Sequence, residues 1–117
     1  MNRDSIQELI GAAVAFRDER DWGQFHNPKE LAISLCIESS ELLQLMQWFK
    51  RDELKRVIEE KRGHLRDELA DVLFSVLLLA DELKIDLGEA FLEKLEKTGV
   101  KYPVEKSKGS AKKYTEL

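Results

Sequence analysis

Between Pro28 and Pro103 no proline interrupts the chain, and apolar residues recur there every three or four positions. Only a helix gathers that spacing onto one face. Leu31, Leu35, Glu38, Leu42, Leu45 and Phe49 fall on one such stripe; Leu65, Glu68 or Leu69, Val72, Val76 and Leu79 fall on a second. The expected class is therefore all-α. Composition supports it: 43% hydrophobic residues suffice for a core, and 36% charged residues with two prolines and six glycines disfavour a turn-rich β fold. At 117 residues a second full domain would leave neither half enough interior.

Capping signals place the elements. Helix 1 is expected over Ser5 to Arg20, with Asp4 as N-cap and Gln7 at the capping-box position. The segment Asp21-Trp22-Gly23-Gln24-Phe25-His26 reads as an unusually aromatic loop. Helix 2 starts where Asn27 caps, Pro28 takes the first turn and Glu30 closes the box, and it is expected to reach Phe49. Helix 3 is expected over Asp52 to Leu83, with Gly63 a point where it breaks or bends, and its stretch Leu69 to Ala80, apolar nearly all round, as the most buried segment. Helix 4 starts at the N-cap Asp86 and ends near Thr98-Gly99. The expected architecture is an antiparallel four-helix bundle over residues 1–98, followed by an irregular basic tail over 99–117.

Charge narrows the function classes. Residues 1–98 carry a net charge of −7 and residues 99–117 a net charge of +3. An acidic body argues against polymeric nucleic acid as partner, because phosphate binding needs a basic face. The longest apolar run, Val72 to Ala80, is far short of the ~20 residues that span a bilayer. The opening residues Met1-Asn2-Arg3-Asp4-Ser5 show no signal-peptide core, and a lone Cys36 allows no internal disulfide, so a cytoplasmic protein without membrane partner is expected.

Acidic pairs three residues apart occur at Asp18/Asp21, Glu38/Glu41, Glu68/Asp71, Asp86/Glu89 and Glu93/Glu96. Asp86/Glu89 is a helix cap, and Asp18/Asp21 and Glu93/Glu96 lie among other charges. Glu38/Glu41 and Glu68/Asp71 differ, since Glu38 interrupts an apolar row and Glu68 and Asp71 stand at the mouth of the most apolar stretch. A carboxylate placed so must be ion-paired, protonated or metal-bound. Residues i and i+3 share a face, so if helices 2 and 3 pack antiparallel the two pairs converge. Four carboxylates there repel one another unless a cation intervenes, and an all-oxygen set suits Mg²⁺, with Mn²⁺ as an alternative. Pairing with Arg62, Arg66, Lys50 or Arg51 is the competing outcome, and it would make the chain a non-catalytic helical interaction module.

The pattern resembles the MazG-like, all-α nucleoside triphosphate pyrophosphohydrolases, especially their dCTP pyrophosphatase subgroup. The likeness runs through Arg20-Asp21-Trp22-Gly23-Gln24-Phe25-His26, Glu38-Ser39-Ser40-Glu41-Leu42, Gln47-Trp48, Asp67-Glu68-Leu69-Ala70-Asp71-Val72-Leu73, Tyr102-Pro103-Val104 and Lys108 to Leu117. The resemblance implies Mg²⁺-dependent hydrolysis of an NTP or dNTP, dCTP or a related dNTP, to the monophosphate and pyrophosphate. It implies Glu38, Glu41, Glu68 and Asp71 as metal ligands, Trp22, His26 and Trp48 as the lining of the nucleotide pocket, and Lys94 as a basic residue near the phosphates. It also implies a homodimer or a dimer of dimers, and a role in nucleotide house-cleaning. The sequence departs from the subgroup at Ala13, Ser75 and Thr98, where relatives commonly carry His, Tyr and Asn. None of these is an implied metal ligand.

The residues suit that task chemically. An acidic site cannot hold a triphosphate directly, so cations must lie between carboxylates and phosphate oxygens. Glu38 or Glu41 is the candidate to accept a proton from the attacking water, Lys94 and tail lysines can steady the leaving pyrophosphate, and Trp22 and Trp48 offer stacking surfaces for a base. A di-iron or di-manganese carboxylate centre is a poorer fit, because such centres draw on Glu-x-x-His pairs and no His follows these glutamates at that spacing.

Overall fold

The computed structural model describes residues 5–117, and three of its helices start where a short polar side chain takes up a free backbone amide. The first helix, α1 (Ile6–Glu19), is capped by Ser5, whose hydroxyl accepts the Glu8 N–H at 3.1 Å. The expected cap, Asp4, lies outside the described residues. Helix α1 stops before Arg20 because Asp21 takes a left-handed conformation (φ 52°, ψ 37°). Such a conformation costs a non-glycine residue roughly 1–2 kcal/mol. Here the Gln24 side-chain amide braces it, donating to the Asp21 carbonyl at 3.0 Å and carboxylate at 2.8 Å. The segment expected as a loop is thus an ordered 3₁₀ turn, Trp22–Phe25.

Helix α2 (Pro28–Gln44) begins as expected, with the Asn27 side chain accepting the Glu30 N–H at 2.9 Å. It ends five residues before Phe49. The amides of Met46 and Gln47 both turn to the Leu43 carbonyl, and the Lys61 ammonium approaches the Leu45 carbonyl at 3.5 Å and the Phe49 ring at 5.0 Å. A distant side chain thereby occupies a carbonyl that a continuing helix would use.

The single helix expected over Asp52 to Leu83 is two: α3 (Arg51–Glu60) and α4 (Arg62–Leu83). The break falls at Lys61 (φ −105°, ψ 16°), two residues before Gly63. Lys61 is also the residue whose side chain reaches back to the end of α2, so one residue links the two interruptions. Helix α4 stops at Lys84, in the left-handed region.

The described chain divides into two compact units, one up to Lys84 and one from Ile85 to Leu117. In the first, α2 and α1 both pack against α4. Helices α2 and α4 run antiparallel: Glu41 meets Glu68 at one level, and Leu31 and Leu78 line the same cavity at another. Leu78 (1% exposed) and Val57 (2%) are the most enclosed side chains, joined by Leu31, Leu77, Ala80 and Ala13. The apolar stretch of α4 is buried in its second half and open in its first. Ser75, Leu77, Leu78 and Ala80 are inside, whereas Leu69 is 60% and Leu73 39% exposed, so the stretch is less enclosed than its composition suggests.

In the second unit, α5 (Leu87–Lys101) is capped by Asp86, which accepts the Glu89 N–H at 3.1 Å. It runs past Gly99 to Lys101, because the stop is set by Pro103, which forces Tyr102 out of helical geometry. The tail is not irregular throughout: it forms α6 (Val104–Ser107) and a 3₁₀ turn, Tyr114–Glu116, with Tyr102 and Tyr114 edge to face at 5.9 Å. No strand occurs among the described residues, and none of their helices is long and apolar enough to cross a membrane.

Candidate active site

The α2–α4 seam assembles the carboxylates. Helical spacing aims Glu38 and Glu41 from α2, and Glu68 and Asp71 from α4, at the same gap. Glu38, Glu41 and Glu68 each offer an oxygen, and the three oxygens lie within 4.8 Å of one another. Asp71 is not part of that tight trio; it lines the adjacent cavity together with Glu38. Among the described residues the ion pairs are Arg17–Asp18, Arg17–Asp81, Arg20–Glu19 and Arg56–Glu60, and none involves these four carboxylates. Salt bridges to Arg62, Arg66, Lys50 or Arg51 are therefore not how the cluster is balanced.

Crowding shows in proton affinity. Burial, followed by the charges of Glu41, Asp71 and Glu68, pushes the Glu38 pKa up to about 7. Burial, then Glu41 and Asp71, also raises Glu68. One oxygen of Glu38 and one of Glu68 are buried with no hydrogen-bond partner. Buried acceptors left unpaired and close together, with no cation among the described residues ion-paired to them, fit a divalent cation bound by oxygen ligands. Glu38, Glu41 and Glu68 are the residues that would hold it.

A pH dependence follows. The folded chain keeps a proton on Glu38 that the unfolded chain releases near the ordinary value of 4.5. Without metal, stability is therefore expected to fall as pH rises from ~5 to ~8. Melting curves across that range check it, with Glu38→Gln, which cannot titrate, isolating the Glu38 share. Added divalent metal should raise the melting temperature more at the upper end, where it no longer competes with the proton. A metal-free wild type whose pH slope matches that of the variant contradicts this.

Beside the carboxylates lies a cavity of about 200 Å³. Trp22 and His26 from the aromatic turn form one wall, Glu38 and Asp71 another, and Leu31 and Leu78 add apolar surface. The Nδ1 of His26 is buried without a partner. Trp22 is held edge-on to Phe16 at 5.7 Å, and Phe16 edge-on to Phe74 at 5.9 Å. Of the other expected pocket residues, Trp48 is 83% exposed in the turn after α2 and is absent from the cavity lining. Because α2 stops at Gln44, Trp48 has left the helical face that carries the carboxylates. Lys94 is exposed on α5 in the second unit. Ser34 and Phe74 also line the cavity and were not singled out from sequence. Their signal was spacing, since Ser34 stands four residues before Glu38 and Phe74 three after Asp71.

The MazG-like family profile matches residues 33–117, a segment that carries all four carboxylates. The chain belongs to the MazG-like family. Its similarity to the dCTP pyrophosphatase 1 proteins of Bos taurus (40% identity) and Homo sapiens (38%) spans 115 residues, 97% of this chain and 68% of theirs. A pyrophosphatase from Archaeoglobus fulgidus, solved by crystallography, superposes with a TM-score of 0.79 at 43% identity over 83% of this chain and 91% of that one. The MazG-like match extends to both compact units, since residues 33–117 include α5 and the tail.

Proposed function

We propose that this chain is a Mg²⁺-dependent nucleotide pyrophosphohydrolase that converts a dNTP, dCTP or a close relative, to the monophosphate and pyrophosphate. The observation that carries the reading is the uncompensated Glu38–Glu41–Glu68 trio beside an aromatic-walled cavity. The names of the similar proteins, dCTP pyrophosphatase 1 and pyrophosphatase, support the same chemistry.

Hydrolysis here means attack of water at the α-phosphorus, with cleavage of its bond to the oxygen that bridges to the β-phosphorus. Glu38, Glu41 and Glu68, with Asp71 alongside, would hold a divalent cation, which when bound would supply the positive charge that lets an acidic site accept a polyanion and would polarise its phosphate oxygens. Glu38, the member of the first pair that lines the cavity, is the candidate to take the proton of the water. Trp22 offers the base a flat face, and the unpaired His26 Nδ1 offers it a polar contact. Mg²⁺ is favoured because it keeps open positions for phosphate and water. Lys94 and Trp48 are carried by resemblance and enter as further substrate contacts.

The reading includes a homodimer or dimer of dimers. Its support is the apolar groove of about 500 Å³ that Leu69, Ala70, Val72, Leu73 and Val76 leave open along α4. A single-domain monomer seldom leaves so contiguous an apolar face to water.

Phosphorus NMR of a dNTP and NTP panel incubated with the protein and Mg²⁺ tests the reaction. Monophosphate with pyrophosphate is expected, fastest with dCTP or a related dNTP. Diphosphate with inorganic phosphate, or no turnover of any nucleotide, would overturn it.

A further inference from the structure

We propose that Arg17 is a positioning residue for the nucleotide cavity, setting its Trp22–His26 wall through an ion pair with Asp81; the inference rests on the reading of that cavity as a nucleotide site.

Arg17 lies in the last turn of α1, and its side chain is only 13% exposed. A long cation so placed needs a partner. It has two. Its Nε donates to Asp18 at 2.9 Å, and its Nη1 donates to Asp81 on α4 at 3.1 Å, across 64 residues of sequence. Asp18 is an exposed neighbour on the same helix, whereas Asp81, 27% exposed, ties the end of α1 to the end of α4.

The aromatic turn rests on this tie. A Cβ at Gly23 would stand 3.6 Å from Arg17 Nε and 3.8 Å from its Cδ, so the stem and head of Arg17 face the turn that carries Trp22 across a gap one methyl wide. The neighbouring residue completes the support. Phe16 meets the edges of both Trp22 and Phe74, and Arg20 covers the Phe16 ring at 3.6 Å while donating to the Phe16 carbonyl at 3.0 Å. Trp22, His26 and Phe74 line the cavity, and Arg17 does not. Arg17 thus acts on substrate only through the turn it props. The left-handed Asp21 makes that turn sensitive, because its strained backbone persists only while its surroundings hold it.

The test compares Arg17→Ala, Arg17→Lys, Asp81→Asn and the Arg17→Ala/Asp81→Asn double variant. Steady-state kinetics with dCTP and Mg²⁺ should show KM raised about tenfold in Arg17→Ala, with kcat changed by less than about twofold, since the carboxylates are untouched. Arg17→Lys should recover part of the KM. The double variant should be no worse than Arg17→Ala, because the two residues act as one unit. A second readout needs no turnover. In a Trp48→Phe background the sole tryptophan is Trp22, and its quenching by acrylamide should rise about twofold in Arg17→Ala as the turn loosens. Unchanged KM and quenching in variants with wild-type circular dichroism would overturn the proposal. So would a fall in kcat at unchanged KM. If the wild type hydrolyses no nucleotide, the functional reading falls, and the quenching alone decides whether Arg17 holds the turn.

Discussion

Replacing Glu38 with glutamine is expected to lower nucleotide turnover by about 10²–10⁴-fold, the range for loss of a positioned general base. The amide has the size of the carboxylate, so the α2–α4 seam can keep its packing. What disappears is a negative charge shared with Glu41 and Glu68 and the ability to accept a proton. The same change should stabilise the metal-free protein above neutral pH, because it removes the cost of burying a charge, and of holding it beside Glu41, that pushes the Glu38 pKa up to about 7. It should also shrink the rise in melting temperature on adding Mg²⁺. Loss of activity with gain of metal-free stability separates a functional carboxylate from a structural one, since a damaged core loses both. A variant that turns over within tenfold of the wild type would remove Glu38 from the reaction.

The other large effect concerns the open face of α4. Leu73 borders two apolar grooves, one with Leu9, Ala12 and Phe16 of α1 and one with Leu69, Val72 and Val76 of α4 itself. Burying a leucine contributes roughly 1.5–3 kcal/mol, so Leu69 and Leu73 from each of two chains contribute several times that to association. The Leu69→Glu/Leu73→Glu variant, which places charges where two copies would meet, is expected to sediment as a monomer where the wild type sediments as a dimer or tetramer. It is also expected to melt at lower temperature, since assembly and folding share the same apolar area. A wild type that is monomeric at micromolar concentration would show that this face serves something other than self-association.

The central carboxylates were legible in the sequence because Glu38 breaks an apolar row, and no solvated face has that form. The helix starts at Asn27 and Asp86 were legible for a similarly local reason, as each cap and its box lie within four residues. What was not legible depends on residues far apart in the chain. The end of α2 and the break before α4 meet where Lys61 reaches Leu45 and Phe49, and no window on either helix contains that contact. The position of Trp48 changed with it, from the carboxylate face of a helix to an exposed turn. The Arg17–Asp81 pair was hidden in the same way, since each looks like an ordinary surface charge until α1 and α4 are side by side. The open first half of the apolar stretch of α4 escaped for the opposite reason: hydrophobicity favours covering a segment and does not say what covers it.

The break at Lys61 also divides the chain by its tolerance to changes of length. An α-helix turns 100° per residue, so one residue added within α4 between Glu68 and Ser75 would swing that carboxylate round relative to the buried Ser75–Ala80 segment and dissolve the trio. One residue added within α3 need not be transmitted, because the helical phase is reset between Glu60 and Arg62. Insertions and deletions in this lineage should accordingly gather within Arg51–Glu60 and be rare between Glu68 and Ala80, with the joint acting as a phase buffer that lets one helix drift while the other keeps its register.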